Sequence, residues 1–153
     1  MAANTKKRTA IKYIRDGIKQ KYDKGSHCEI CDGTEELEFH HYHTVAFVLE
    51  NYAKAEDILL DTTEQILAMR DEFYKKHWYE LVTDAVTLCK NHHTQLHGIY
   101  GQKPLLSTVE KQRNWVTKMH GKAHGLVEDN IIRTGGVADY IDYKATPLLN
   151  FLV

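Results

Sequence analysis

Residues 88–97 read Leu88-Cys89-Lys90-Asn91-His92-His93-Thr94-Gln95-Leu96-His97, a cysteine and three histidines in one short stretch. A matching cluster lies upstream, where Cys28-Glu29-Ile30-Cys31 is followed closely by Phe39-His40-His41-Tyr42-His43. Together the two stretches hold all three cysteines and six of the ten histidines of the chain. Thiolate and imidazole bind zinc and other borderline transition ions, and packing gives no reason to gather both types twice. The donors exceed what one tetrahedral ion can use. Two metal sites follow, one structural and one catalytic.

Cys28-x2-Cys31 supplies one half of the structural site and Cys89-x2-His92 the other. Each short spacing lets two side chains from one turn reach the same ion. A zinc held this way staples distant parts of the chain and leaves no cysteine over. With those four set aside, His93 and His97 remain, and residues four apart on a helix share a face. His40 and His41 are neighbours on an expected strand and so point to opposite sides. One of them completes the second metal site. The other stands beside it as a general base, since the ordinary histidine pKa of about 6.5 lies close to neutral pH.

The chain has 153 residues, enough for one domain with a modest core and an appendage or two. Its net charge is −1, unevenly spread. Lys6, Lys7, Arg8, Lys12, Arg15, Lys19, Lys21 and Lys24 face only Asp16 and Asp23 in residues 1–24, so a basic arm precedes an acidic body. Such an arm suits a polyanion contacted by one face. Its start lacks the apolar stretch of a secretory signal, and no apolar run approaches the roughly 18 residues of a membrane span. Three cysteines cannot all pair, so a reducing compartment with metal ligation is expected, and with it a cytoplasmic location.

Ile11, Ile14, Ile18 and Tyr22 recur at helical spacing and predict an amphipathic helix over about 6–22, ended by Gly25. Residues 36–43 read as a strand. The acidic stretch 50–72 contains Thr62 with Gln65, or Asp61 with Glu64, either able to cap a helix reaching about Trp78 with Ile66, Met69, Phe73 and His77 inward. A second strand is expected over Asp84–Leu88 and a helix over 92–99. Ser107-x-x-Glu110 predicts another capped helix, with Val109, Trp115, Val116 and Met119 on its apolar face and a stop near Gly121. The expected organisation is a basic helix over 1–24, a core over 25–99 with a helical insertion at about 44–80, a helix over 100–125, and a tail over 126–153.

These motifs bear a resemblance to a known family. Cys28-x2-Cys31, Glu38-Phe39-His40-His41, Asp84-Ala85-Val86-Thr87-Leu88-Cys89 and His92-His93-x3-His97 resemble the HNH, or ββα-metal, endonucleases in their zinc-stapled form. The likeness covers roughly residues 26–99, with a gap from His41 to Asp84 longer than the family's usual hairpin. It implies an α+β fold with a small ββα-metal core, a zinc knuckle, flanking helices at both ends and a helical insertion between the strands. It further implies that His41 is the general base, and that His40, His93 and His97 hold one catalytic divalent cation (Mg, Mn, Ni or Zn). Asp84 stands at the family's middle asparagine, where it steadies the base-carrying loop or helps at the metal. The implied reaction is hydrolysis of DNA phosphodiesters to 5′-phosphate and 3′-hydroxyl ends, nicking included.

DNA is the expected partner, met by Lys6, Lys7, Arg8, Lys12 and Arg15, with Lys90, Lys103, Lys111, Arg113 and Lys118 extending the surface. The terminal Leu148-Leu149-Asn150-Phe151-Leu152 looks like the peptides by which some phage proteins hold a sliding clamp, with Leu149 and Phe151 as anchors; the competing reading packs it as a final strand. Such a nuclease fits a bacteriophage acting in the cytoplasm of its bacterial host. The competing function is a zinc-stabilised DNA-binding or clamp-associated protein without catalysis. His43 is left as a strand residue of unassigned purpose.

Overall fold

β1 (Leu37–His41) and β2 (Ala85–Cys89) pair antiparallel, with Leu37 opposite Cys89, Phe39 opposite Thr87 and His41 opposite Ala85. In this computed structural model α4 (Lys90–Tyr100) follows β2 directly. Strand, strand and helix form the small ββα core of an α+β fold. The structure describes residues 2–125, with side chains from residue 9 onward. The tail with Leu149 and Phe151 lies outside the described residues, as do the side chains of Lys6, Lys7 and Arg8. Among the described residues no helix is long and apolar enough to cross a membrane.

The chain divides into two compact units, Met1–Asn114 and Trp115–Val153. In the first, α1 (Ala2–Ile18) buries Ala10, Ile14 and Ile18, three positions four residues apart. The helix stops sooner than its apolar spacing predicts. A 3-10 turn over Lys19–Lys21 follows, and Tyr22 adopts an extended backbone at φ −67° and ψ 124°. Tyr22 therefore leaves the helical stripe and points elsewhere.

The insertion between the strands carries two helices where one was expected. α2 (Val45–Ala55) buries Val45, Val48, Leu49 and Tyr52, a helical stripe that follows directly on the histidine cluster. α3 (Thr63–Lys76) opens with the expected capping box: the Thr62 hydroxyl accepts from the Gln65 N–H at 3.1 Å, and the Gln65 side chain accepts from the Thr62 N–H at 3.0 Å. Ile66, Met69 and Phe73 face inward as predicted. α3 docks closely on α1. The Tyr74 hydroxyl donates to the Ile14 carbonyl at 2.5 Å and Arg70 donates to that of Tyr13 at 3.1 Å. Gly17 permits this approach, since a Cβ there would lie 2.5 Å from the Tyr74 oxygen.

A single π-helical turn, Tyr79–Thr83, leads from the insertion into β2 and buries Leu81 completely. α5 (Val109–Ala123) is reached through a 3-10 turn over Leu106–Thr108. The Glu110 carboxylate pairs with Arg113 at 2.5 Å, one turn ahead. The helix ends at Ala123, close to the expected stop at Gly121. In the second unit the described residues carry α5 on to Ala123, with the rings of His120 and His124 4.3 Å apart and tilted by 37°.

Candidate metal centres and catalytic cavity

The first donor set is assembled by backbone geometry around a tight knuckle. The Cys28 N–H donates to the Gly33 carbonyl at 2.7 Å, and Asp32 turns the chain through a left-handed conformation at φ 63°. The Glu29 N–H donates to Thr87 of β2 at 2.9 Å, which ties the knuckle to the sheet. Cys89 ends β2 and sits at the start of α4, where its sulfur accepts from the His92 N–H at 3.5 Å. The four donor atoms of Cys28, Cys31, Cys89 and His92 lie within 4.8 Å of one another. Cys31 and Cys89 sulfurs are 3.9 Å apart, Cys28 sulfur and His92 Nδ1 3.9 Å, and Cys89 sulfur and His92 Nδ1 3.3 Å. A tetrahedron with Zn–S bonds of ~2.3 Å has edges of about 3.8 Å. The set fits such an ion.

The thiol chemistry agrees. Burial pushes the Cys28 thiol up, but N–H groups of Cys31, Cys89 and Ile30 together outweigh it, and its pKa lies below the ordinary value. At Cys31 the N–H of Gly33 pulls down, while burial and the neighbouring thiols push up and win. Crowded thiols resist ionising together unless a cation sits among them.

The second donor set joins β1 to α4. Alternation along β1 sends Glu38 and His40 toward α4, while Phe39 and His41 turn to the other face. His40 Nδ1 lies 3.1 Å from His93 Nε2, which lies 3.1 Å from His97 Nε2. Each ring has its far nitrogen engaged by an acceptor. His93 Nδ1 donates to the Glu38 carboxylate at 2.6 Å, and His97 Nδ1 donates to the Gly101 carbonyl at 2.7 Å. His40 Nε2 donates to Gln112 Oε1 at 2.8 Å. The Gln112 amide is held in that orientation because its nitrogen donates to the Tyr42 carbonyl at 3.2 Å and the Thr108 hydroxyl at 3.0 Å. With three outer nitrogens protonated, three lone pairs face one another. Only a proton or a cation reconciles them, so this set also fits a metal.

Glu38 and Gln112 were not given roles from sequence. Glu38 was legible as the strand neighbour of His40 on the same face. Gln112 was not, because its relation to His40, 72 residues away, exists only in the folded chain, where it is fully buried.

His41 differs from the three clustered rings. Its Nε2 is shielded from solvent and has no hydrogen-bond partner among the described residues, while the ring bonds the backbone of Leu81. That bond therefore belongs to Nδ1, leaving Nε2 as the unprotonated acceptor. Burial, reinforced by the charge of Arg15, pulls the His41 pKa down to about 4. Burial also lowers His40, to about 3, against the opposing Gln112 bond. An open cavity of about 540 Å3 is lined by His40, His41, His93 and His97, with Arg15 and Tyr22 contributed by the N-terminal arm.

Asp84 lies apart from both donor sets. Its carboxylate accepts from His43 Nε2 at 2.8 Å and is paired with Arg113. His43 is thus no strand residue: it falls beyond β1 and is engaged with Asp84. Arg113, expected on a DNA-facing surface, is instead held by Asp84 and Glu110. The Lys12 ammonium pairs with Asp16 at 3.1 Å on the exposed side of α1.

The sheet, the helix and the two donor sets define a small α+β protein with a ββα core able to bind metal ions. Its lineage is narrower than that class. The sequence model of the phage T5 nicking endonucleases, described as a nicking endonuclease family, matches residues 1–134, and the chain belongs to this family. It is accordingly a phage-type endonuclease that acts on DNA. No solved structure matches the chain.

Proposed function

We propose that the protein is an HNH-type nicking endonuclease. In this reading His41 is the general base, His40, His93 and His97 hold one catalytic divalent cation, and Cys28, Cys31, Cys89 and His92 hold a structural zinc. The observation that carries it is the shared cavity, which His41 lines together with the three clustered imidazoles. Three imidazoles suit a transition ion better than Mg.

Bound there, the cation would supply Lewis-acid stabilisation to charge developing on the phosphodiester oxygens. The chain's own groups do the rest. The Leu81 carbonyl keeps Nδ1 of His41 protonated, which holds Nε2 as acceptor. His41 takes a proton from water as the water oxygen bonds to phosphorus. The bond from phosphorus to the 3′ oxygen breaks, and that oxygen gains a proton from solvent, giving 5′-phosphate and 3′-hydroxyl ends. Arg15 lines the same cavity, so it is placed to meet the phosphate. Asp84 serves by steadying the segment after the base through His43, not by ligation. A single cavity cuts one strand per encounter.

His41→Ala tests the assignment. Nicking of supercoiled plasmid, with Mn, Ni or Mg restored after EDTA, should fall ~10²–10⁴-fold while metal content and DNA binding persist. Near-normal nicking by that variant would sink it.

A further inference from the structure

Two supports of His41 converge on one carboxylate. The first is the π-helical turn Tyr79–Thr83, whose buried Leu81 bonds the His41 ring through its backbone. The Asp84 N–H closes that turn by donating to the Tyr79 carbonyl at 2.7 Å. The second support is the chain leaving β1. His43, two residues past His41, donates from Nε2 to the Asp84 carboxylate at 2.8 Å. Asp84 therefore ties the turn before β2 to the segment after β1, at the end of the sheet where His41 stands opposite Ala85.

Asp84 is tied in turn to α5. Its side chain is only 10% exposed, and Arg113 donates to both of its oxygens, from Nε to Oδ1 at 3.3 Å and from Nη2 to Oδ2. The same guanidinium lies 5.5 Å from the centre of the Tyr42 ring, and its Nη1 donates to Glu110 at 2.5 Å. A planar fork that meets both oxygens sets the plane of the carboxylate, which an ammonium cannot do. A carboxylate this far from water is costly unless it is paired. Burial pushes the Asp84 carboxyl up, but the bonds and charges of Arg113 and His43 outweigh it and hold it below the usual carboxylate range. Single π-helical turns are uncommon and occur frequently at functional sites.

We propose that Arg113 is a positioning residue for the reaction: by fixing Asp84 it locks the π-helical turn and the segment after β1, and so sets the orientation and tautomer of His41. Two neighbours on α5 then divide the work, Gln112 holding His40 of the metal set and Arg113 holding the supports of the base. The inference rests on His41 being the base.

Arg113→Met tests it, on the zinc-loaded chain with 15N-labelled histidines. Wild-type His41 should show one tautomer, with Nδ1 protonated. In Arg113→Met its two nitrogen signals should move toward their average, while those of His93, held by Glu38, stay in place. Turnover on plasmid and on bis(p-nitrophenyl) phosphate, a diester too small to need the DNA surface, should fall ~10–100-fold in kcat with plasmid KM unchanged. Arg113→Lys keeps the charge and loses the fork, so it carries the same measurements should Arg113→Met fail to fold, with a smaller loss expected. Arg113→Met combined with Asp84→Asn leaves an acceptor for His43 without a stranded charge, and should be faster than Arg113→Met alone. A single His41 tautomer in both Arg113 variants, a loss confined to plasmid KM (which would make Arg113 a DNA contact), or a double variant no faster than Arg113→Met would each overturn the proposal. An inactive His41→Ala beside fully active Arg113 variants overturns Arg113 alone. A fully active His41→Ala overturns the base reading with it.

Discussion

Ile14, Ile18, Val45, Leu49, Ile66 and Phe73 join α1, α2 and α3 into one apolar cluster that needs no cofactor to cohere. The ββα unit is built otherwise. Its buried set is sparse (Ile30, Leu88 and Leu96 with Cys28, His40 and Gln112), and its ends meet at thiols and imidazoles. In one region burial of hydrocarbon supplies the stability, roughly in proportion to apolar area. In the other, two strands and a short helix cannot bury enough, and donor atoms are brought to within bonding range of an ion. The contrast teaches where function can be placed. The donor-rich region is precise at its thiols and imidazoles, while the helical layer carries the basic arm with its Arg15 and Tyr22 at the cavity.

The contrast breaks most visibly at the knuckle. Cys28→Ser or Cys89→Ser should unfold the ββα unit or leave the protein insoluble, because structural zinc contributes folding free energy directly. Elemental analysis of the wild type should find one tightly held zinc per chain. Cysteine variants that melt like the wild type would show that burial alone holds this region. Phe73→Ala attacks the other region. It should destabilise by about 3–5 kcal/mol in urea while zinc content stays whole, since the cavity it opens lies in the helical layer.

Gln112→Met sharpens the comparison inside the donor-rich region. It removes the acceptor for His40 Nε2 but no metal ligand. Calorimetric titration with Co should show affinity at the second site lowered ~10–100-fold, with the knuckle zinc unaffected. Equal affinity would mean that the outer shell does not position His40.

The smallest expected effect is on pH. His41 has its pKa lowered to about 4 in the folded protein, against about 6.5 unfolded. Between those values the unfolded chain takes up a proton that the folded one refuses. Stability is therefore intact above pH 6.5 and erodes as pH falls toward 4. Urea melts at pH 7 and pH 5 should differ by about 2 kcal/mol more in the wild type than in His41→Ala. Over the same range the His41 ring stays neutral and competent as a base, so kcat should not fall near pH 6.5.

Local pattern decided much of this protein. The two Cys/His clusters carried their own partition into a four-donor and a three-histidine set, because ligand spacing within a turn and four-residue spacing on a helix are local geometry. The Thr62 capping box and the inward face of α3 were legible for the same reason. Strand alternation separated His40 from His41, since neighbours on a strand face opposite ways. Where an outcome depended on what packs against what, the sequence was silent or misleading. Asp84 was read as steadying the base-carrying loop or helping at the metal, and nothing in the sequence signalled the His43 and Arg113 partners, both distant along the chain, that the fold brings to its carboxylate. Tyr22 read as the last rung of an apolar stripe, until a 3-10 turn released it into the cavity. Gln112 carried no signal at all. Its role arises because the fold buries an amide whose partners, His40, Tyr42 and Thr108, all lie outside its own helix. Ligand identity is written in residue type and spacing, but the hydrogen bonds that aim His40 and His93 join segments tens of residues apart, and only the folded chain brings them together.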